Sequence, residues 1–193
     1  MRRLFLTGCG YLGGQPIPGV QCGPNVFRKH FIKERIIKQG YHVEDSGNVL
    51  NSLKGPLDKL QIGKVNEKLY NHLIPRLKDK TINTCLTLGG DHSISLGTVS
   101  ATLNTYPDAF IVWIDAHADI NTVRTGYLHG MPLSYLMGLT EQPELFPWLK
   151  PSLSPDSIAY FGIRSVDKEE WKFINKLGIK YFSTLNMRKN NIK

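Results

Sequence analysis

The stretch FIVWIDAHADIN, residues 110 to 121, decides the fold class, because an apolar run changes within one residue to alternating polar side chains. Residues 110 to 114 are β-branched or aromatic with almost no interruption, which is typical of a buried strand. Asp115, His117 and Asp119 follow at every second position. In an extended chain this spacing turns all three side chains to one side and the alanines to the other. We therefore expect a buried strand that ends in a polar cluster.

This cluster has the composition of a metal site. Carboxylates drawn together near the end of a buried strand repel and lose hydration, so protons, basic side chains or a metal must neutralise them. No Lys or Arg occurs in the segment before Arg124. Oxygen ligands with imidazole suit Mn²⁺, and less selectively Co²⁺, Fe²⁺ or Zn²⁺, whereas a structural zinc site would use cysteine. A hydrogen-bonded cluster without a metal is the alternative that the spacing leaves open.

Short β-rich runs alternate with helical patterns along the chain, which indicates βαβ units and a mainly parallel sheet. The predicted strands are residues 4–6, 41–43, 84–88, 110–114, 158–163 and 179–182. The predicted helices are residues 24–38, 64–77, 95–103 and 167–177, and the predicted loops are residues 48–63 and 141–155. We expect an α/β protein with one six-stranded sheet in a single domain over residues 1–193.

A second polar group follows the predicted strand 84–88. It is the run from Gly89 to Ser93, in which two glycines precede Asp91 and His92. Ligands in open α/β sheets lie outside the carboxyl ends of the strands, so we expect His92 to meet the cluster of residues 115–119 at one edge. Taken singly, His92 could equally be a loop or helix-cap residue.

Composition and charge argue against several classes of protein. The net charge of +8 is scattered along the chain without an Arg-rich block or an aromatic platform, so we expect no nucleic-acid partner. Cys9, Cys22 and Cys85 are odd in number and lack metal-site spacing, which favours a reducing compartment, and we expect a cytoplasmic protein. The apolar run Leu4–Leu6 is too short for a signal peptide, and no stretch reaches transmembrane length, so we expect no membrane partner.

Three motifs together resemble those of the ureohydrolase family, and of the arginases within it. They are GGDHS at 89–93, DAHADIN at 115–121 and LHGMP at 128–132, and segments 13–24 and 177–183 extend the resemblance. The resemblance implies a three-layer α/β/α fold and a homo-oligomer, a trimer in the family. It also implies two manganese ions and the hydrolysis of L-arginine, or a related guanidino substrate, to L-ornithine and urea by a bridging hydroxide.

Matching the motifs position by position assigns metal ligands. His92, Asp115 and Asp119 fall on the ligand positions of one ion. Asp115 again and His117 fall on those of the other ion. The resemblance thus implies that Asp115 bridges the two ions.

The same matching assigns residues to the substrate. Asn121 falls on a position that contacts the amino-acid end, and His129 on a proton-shuttling histidine, although an ordinary loop histidine is the alternative without the resemblance. Thr125 and Tyr127 stand where the family has Ser and Asn, and Ser165 stands where arginases commonly have Asp. Tyr127 puts a phenol in place of a small amide, so the matching leaves specificity open.

The family also carries a third metal motif, an Asp-x-Asp pair downstream of residues 177–183, and a later substrate-binding glutamate. The sequence to Lys193 contains no such string. We therefore expect a domain that is incomplete at its C-terminus, through a truncated gene model or an alternative transcript, and that holds one Mn²⁺ weakly or none. Its activity should be weak or absent. The alternative is a non-catalytic truncated protein that binds one metal or modulates full-length subunits.

Overall fold

The structure, a computed structural model, describes residues 1–50, 59–122, 127–140 and 142–189. The strands in this part of the chain are β1 (Arg2–Cys9), β2 (Tyr41–Leu50), β3 (Thr84–Gly89), β4 (Ile111–Ile114), β5 (Ile158–Ile163) and β6 (Lys180–Ser183). The α-helices are α1 (Gly23–Lys29), α2 (Ile32–Lys38), α3 (Lys59–Lys78), α4 (Ser95–Thr105), α5 (Pro132–Leu136), α6 (Lys168–Leu177) and α7 (Thr184–Lys189). No helix among these residues is both long and apolar enough to cross a membrane.

All strand pairings in the described residues are parallel, in the orders β2-β1-β3 and β4-β5-β6. The α/β class with parallel strands is confirmed. The prediction of one continuous six-stranded sheet is wrong, because β3 and β4 do not pair with each other in the described part of the chain. A cavity of about 610 Å³ is lined by Cys85 and Thr87 of β3 and by residues that follow β4. The two sheets therefore border this cavity instead of sharing hydrogen bonds.

One apolar core joins the two sheets. It contains Phe5 of β1, Leu69 of α3, Trp113 of β4 and Tyr160 of β5, all of which are buried. Helices α3 and α4 pack against each other over this core. Burial of these large side chains supplies the main favourable free energy of folding, and it fixes the two strand ends that border the cavity.

Two predicted segments differ from the structure. The helix predicted over residues 24–38 is two helices, because Phe31 adopts a left-handed conformation with φ of 63° between α1 and α2. The loop predicted over residues 48–63 is wrong at both ends, since β2 continues to Leu50 and α3 begins at Lys59. Residues 51–58 lie outside the described residues.

Candidate metal centre

The segment that follows β3 carries His92 into the cavity. Asp91 begins a short 3-10 turn, His92–Ile94, and its Oδ1 accepts a hydrogen bond from the Ser93 N–H at 2.8 Å. The His92 ring stacks on Trp113 of β4, with 4.7 Å between the ring centroids. The capped turn and the indole together hold the imidazole beside the end of the neighbouring sheet.

The segment that follows β4 leaves the extended conformation after Ile114. The Asp115 N–H still donates to the Phe161 carbonyl at 3.1 Å, but the strand does not continue to Asp119. Asp119 has a φ of 51°, a left-handed conformation that a non-glycine residue rarely adopts, and it is buried. The expected alternation is therefore wrong as a description of the backbone, and a bend at residues 115–117 followed by the left-handed Asp119 brings the two acids together instead.

Three side chains converge as the sequence predicts. His92 Nδ1 lies 2.8 Å from Asp119 Oδ2 and 3.2 Å from Asp115 Oδ2. One potential ligand atom from each residue lies within 4.8 Å of the others, which is a spacing that one ion can bridge. Two carboxylates and an imidazole suit a divalent cation of the manganese type better than they suit structural zinc.

His117 occupies a more peripheral position. Its side chain is 61% exposed, and its Nδ1 lies 3.3 Å from Asp115 Oδ1. It lines the same cavity but does not belong to the group of three convergent ligands. The second ion that the family resemblance implies would thus have only Asp115 and His117 as ligands among the described residues, and His117 lies outside the convergent group.

Electrostatics favour a positively charged group at this position. Burial by itself would lower the pKa of His92, but hydrogen bonds and charge attraction from Asp115 and Asp119 outweigh it and raise that pKa to about 9. Burial would raise the pKa of Asp115, yet the hydrogen bond to His92 and the His117 N–H hold that pKa below its usual range. The cluster is therefore stabilised by a positive charge, which a proton on His92 supplies here and a metal ion could supply instead.

A second cavity of about 430 Å³ adjoins the first and shares His117, Asp119 and His129 with it. Its far wall contains an acidic pair, Asp167 and Glu170. These two residues form a capping box at the start of α6, where the Asp167 N–H donates to Glu170 Oε2 at 3.2 Å.

The acidic pair is linked to the segment after β4 by two hydrogen bonds. Asn121 Nδ2 donates to Asp167 Oδ2 at 3.0 Å, and the Ile120 N–H donates to Glu170 Oε1 at 3.2 Å. Burial raises the pKa of Glu170. The sequence interpretation did not single out Asp167 and Glu170 as cavity residues, although an Asp-x-x-Glu pair at the start of the helix after a predicted strand was the available signal.

Comparison with known proteins identifies the family. The arginase family model matches residues 2–193. The chain belongs to the arginase family. It is 37% identical to the arginase of Saccharomyces cerevisiae, with 99% of this chain and 66% of that protein covered, and 36% identical to arginase-1 of Sus scrofa, with 97% and 62% covered.

Solved arginase structures share its fold. Arginase from Bacillus subtilis superposes with a TM-score of 0.86 at 31% identity, over 98% of this chain and 65% of that one. Arginase from Entamoeba histolytica, in complex with L-ornithine, gives a TM-score of 0.81 at 26% identity, over 98% of this chain and 68% of that one. The chain thus spans between 60% and 66% of the length of three curated arginases that it matches.

The remaining residues that the arginase resemblance singles out have different positions. His129 is half-buried and lines both cavities, and Tyr127 stacks on it with 5.9 Å between ring centroids while remaining 49% exposed. Ser165 is exposed at the second cavity, two residues before Asp167. Thr125 lies outside the described residues. His129 therefore borders both cavities, as His117 and Asp119 do.

Proposed function

We propose that this chain carries the metal half of an arginase-type ureohydrolase site, which hydrolyses L-arginine, or a related guanidino substrate, to L-ornithine and urea. The observation that carries the proposal is the convergence of His92, Asp115 and Asp119, in a member of the arginase family, at the ends of two parallel strands. Ligands bind in this place in open α/β sheets. We propose Mn²⁺ as the metal, because two carboxylates and one imidazole match its preferences.

We propose a separate role for each group of residues in and around this cluster. His92, Asp115 and Asp119 would hold the ion, which lowers the pKa of a coordinated water and so supplies a nucleophile at neutral pH. His129, between the two cavities, would accept and return protons. The acidic pair of Asp167 and Glu170 would attract the positively charged amino end of the substrate.

We propose that the chain by itself holds one ion, and holds it weakly. Only three described residues converge on one point, and His117 adds a fourth potential ligand atom, its Nδ1, at the margin. Two divalent ions would carry a charge of +4 between them, and Asp115 and Asp119 neutralise only half of it. A second stable ion would need further carboxylates.

The direct test is the release of urea from L-arginine by the purified chain with added Mn²⁺. We expect little or no urea from this chain, and calorimetry should detect one bound Mn²⁺ ion. The variant Asp119→Asn should lose that ion, because it removes a charge from a buried ligand, whereas Asp156→Asn, on the exposed turn before β5, should bind Mn²⁺ as the parent does. Two tightly bound ions and turnover like that of a complete arginase would contradict the proposal of a half site.

A non-catalytic role is the second candidate, and one observation favours it. Ile114 of β4 is 80% exposed next to the metal cluster, so this apolar face of the strand is open to another polypeptide. The chain could then bind one metal, or it could associate with complete arginase subunits and modulate their activity. Co-purification of the chain with a complete arginase, and a change in that enzyme's urea release, would support this role. A chain that elutes alone in the presence of the complete enzyme would exclude the modulation of complete subunits.

A further inference from the structure

Asp91 is a buried carboxylate that joins two loops. Only 4% of the residue is exposed, and each carboxylate oxygen accepts a backbone hydrogen bond. Oδ1 accepts from Ser93 at 2.8 Å, and Oδ2 accepts from Gly14 at 2.8 Å. Asp91 therefore ties the loop that follows β1 to the turn that carries His92.

The two loops pack without space for an additional side chain at Gly14. A Cβ atom at this position would lie 2.6 Å from Asp91 Oδ1 and 2.9 Å from the Ser93 Cβ atom. Such distances are shorter than van der Waals contact, so only glycine fits here without displacement of Asp91. The position of the Gly14 backbone is consequently set by Asp91.

The Gly14 carbonyl in turn contacts His129. It accepts the His129 backbone N–H at 3.2 Å, and it lies 2.8 Å from Nδ1 of the ring. A carbonyl oxygen can only accept, so a neutral His129 ring must carry its hydrogen on Nδ1 to make this bond. The lone pair then resides on Nε2.

We propose that Asp91 is a positioning residue that fixes His129 in the Nδ1–H tautomer through the backbone of Gly14. A free imidazole in water samples both tautomers, and only a ring with a lone pair on Nε2 can accept a proton there. The use of that proton in catalysis rests on the proposed function, but the tautomer itself does not.

The test is NMR spectroscopy of the full chain labelled with ¹⁵N in its histidines. Spectra are recorded in metal-free buffer at about pH 8, above the ordinary imidazole pKa, and the His129 signals are assigned by their loss in His129→Gln. We expect a pyrrole-type Nδ1 and a pyridine-type Nε2, with the Nδ1–H tautomer in roughly tenfold excess, the ratio that one ordinary hydrogen bond supports. A parent chain with the Nε2–H tautomer would overturn the proposal.

The variant Asp91→Asn tests the link to Gly14. The amide has one acceptor oxygen and an NH₂ group that cannot accept, so it can bind only one of the Gly14 and Ser93 N–H groups. The two loops are then no longer held together, and the ratio of Nδ1–H to Nε2–H tautomer should fall towards one. Asp79→Asn is the matched control. Asp79 also accepts a hydrogen bond from a backbone N–H, that of Thr81, but it precedes the start of β3, whereas Asp91 follows the end of that strand. An unchanged ratio in a folded Asp91→Asn chain would refute the role of Asp91.

Gly14→Ala breaks the same contact from the other side and replaces Asp91→Asn if that variant does not fold. It should shift the ratio in the same direction, and an unchanged ratio would again refute the proposal. Urea release plays no part in these measurements. Failure of arginine hydrolysis would therefore leave the tautomer assignment intact, and an Nε2–H ring would leave the proposed reaction class intact.

Discussion

His92 contacts both acids of the cluster through a single ring nitrogen, Nδ1. That arrangement raises its pKa to about 9, although burial by itself would lower it. At neutral pH the ring consequently holds a proton. A histidine must be neutral to bind a metal, so an incoming ion has to displace this proton.

This competition makes Mn²⁺ binding depend on pH. Because the pKa of His92 is above the working pH, the fraction of neutral ring rises about tenfold per pH unit until the pH reaches that pKa. We expect the Kd for Mn²⁺, measured by calorimetry from about pH 6.5 to 8.5, to fall by nearly the same factor per unit. His92→Asn should bind more weakly and lose most of this dependence. A Kd that does not change over this interval would show that His92 is not a ligand.

The sequence predicted which residues meet at the site better than it predicted how they meet. The spacing of Asp115 and Asp119 indicated convergence, and these two residues do converge with His92. The left-handed backbone of Asp119 has only a weak local signal. Aspartate adopts this conformation more often than most residues, but its neighbours Ala118 and Ile120 fit an extended chain. Tertiary contacts impose this conformation: the Asp119 carbonyl accepts from Leu133, and both neighbours are buried.

At the scale of elements, periodicity identified the strands but missed the break between α1 and α2. The apolar spacing from Val26 to Ile37 fits one continuous helix. His30 and Phe31 instead close α1 with bonds to Val26 and Arg28, and Phe31 then turns left-handed. Phenylalanine gives no sequence signal for such a turn, since glycine or asparagine usually occupies it.

Phe31 therefore offers a stability test. A left-handed conformation costs a non-glycine residue about 1–2 kcal/mol, and glycine gives back about 0.5–1 kcal/mol of this through its greater freedom when unfolded. The side chain is 64% exposed, so little burial is lost. We expect Phe31→Gly to raise the free energy of unfolding by roughly 0.5–1 kcal/mol in urea titrations.

Phe27 supplies the matched control for this substitution. It lies within α1 and is 51% exposed, so Phe27→Gly removes a similar side chain from a right-handed position. There glycine should lower the free energy of unfolding by about 0.5 kcal/mol, because it forms helices less well than phenylalanine does. Two changes of the same sign would contradict the assignment of strain to Phe31.

At the scale of the whole molecule, the two sheets differ in their cover. In the first sheet, Leu6 and Leu88 are buried on the face that Ile32 and Ile36 of α2 pack against. In the second sheet, Val112 and Ile114 are 53% and 80% exposed. Parallel sheets are normally covered by helices on both faces. The face of the second sheet that carries Val112 and Ile114 is less covered by the described helices than the face of the first sheet that packs against α2. The apolar run over residues 110–114 predicted a buried strand, which is confirmed for Trp113 and wrong for Val112 and Ile114. The cover of a sheet face depends on distant segments that the strand's own sequence does not encode.

This uncovered face should promote self-association, because water is released when such faces pair. We expect Ile114→Lys to lower the weight-average mass of the metal-free chain at high concentration, as measured by light scattering after size-exclusion chromatography. Ile17→Lys is the matched control, since Ile17 is also mostly exposed, at 69%, but lies in the loop that follows β1. Both substitutions add the same charge, so a difference between them reports on the sheet face. Equal effects would mean that net charge, and not the uncovered face of β4, controls association.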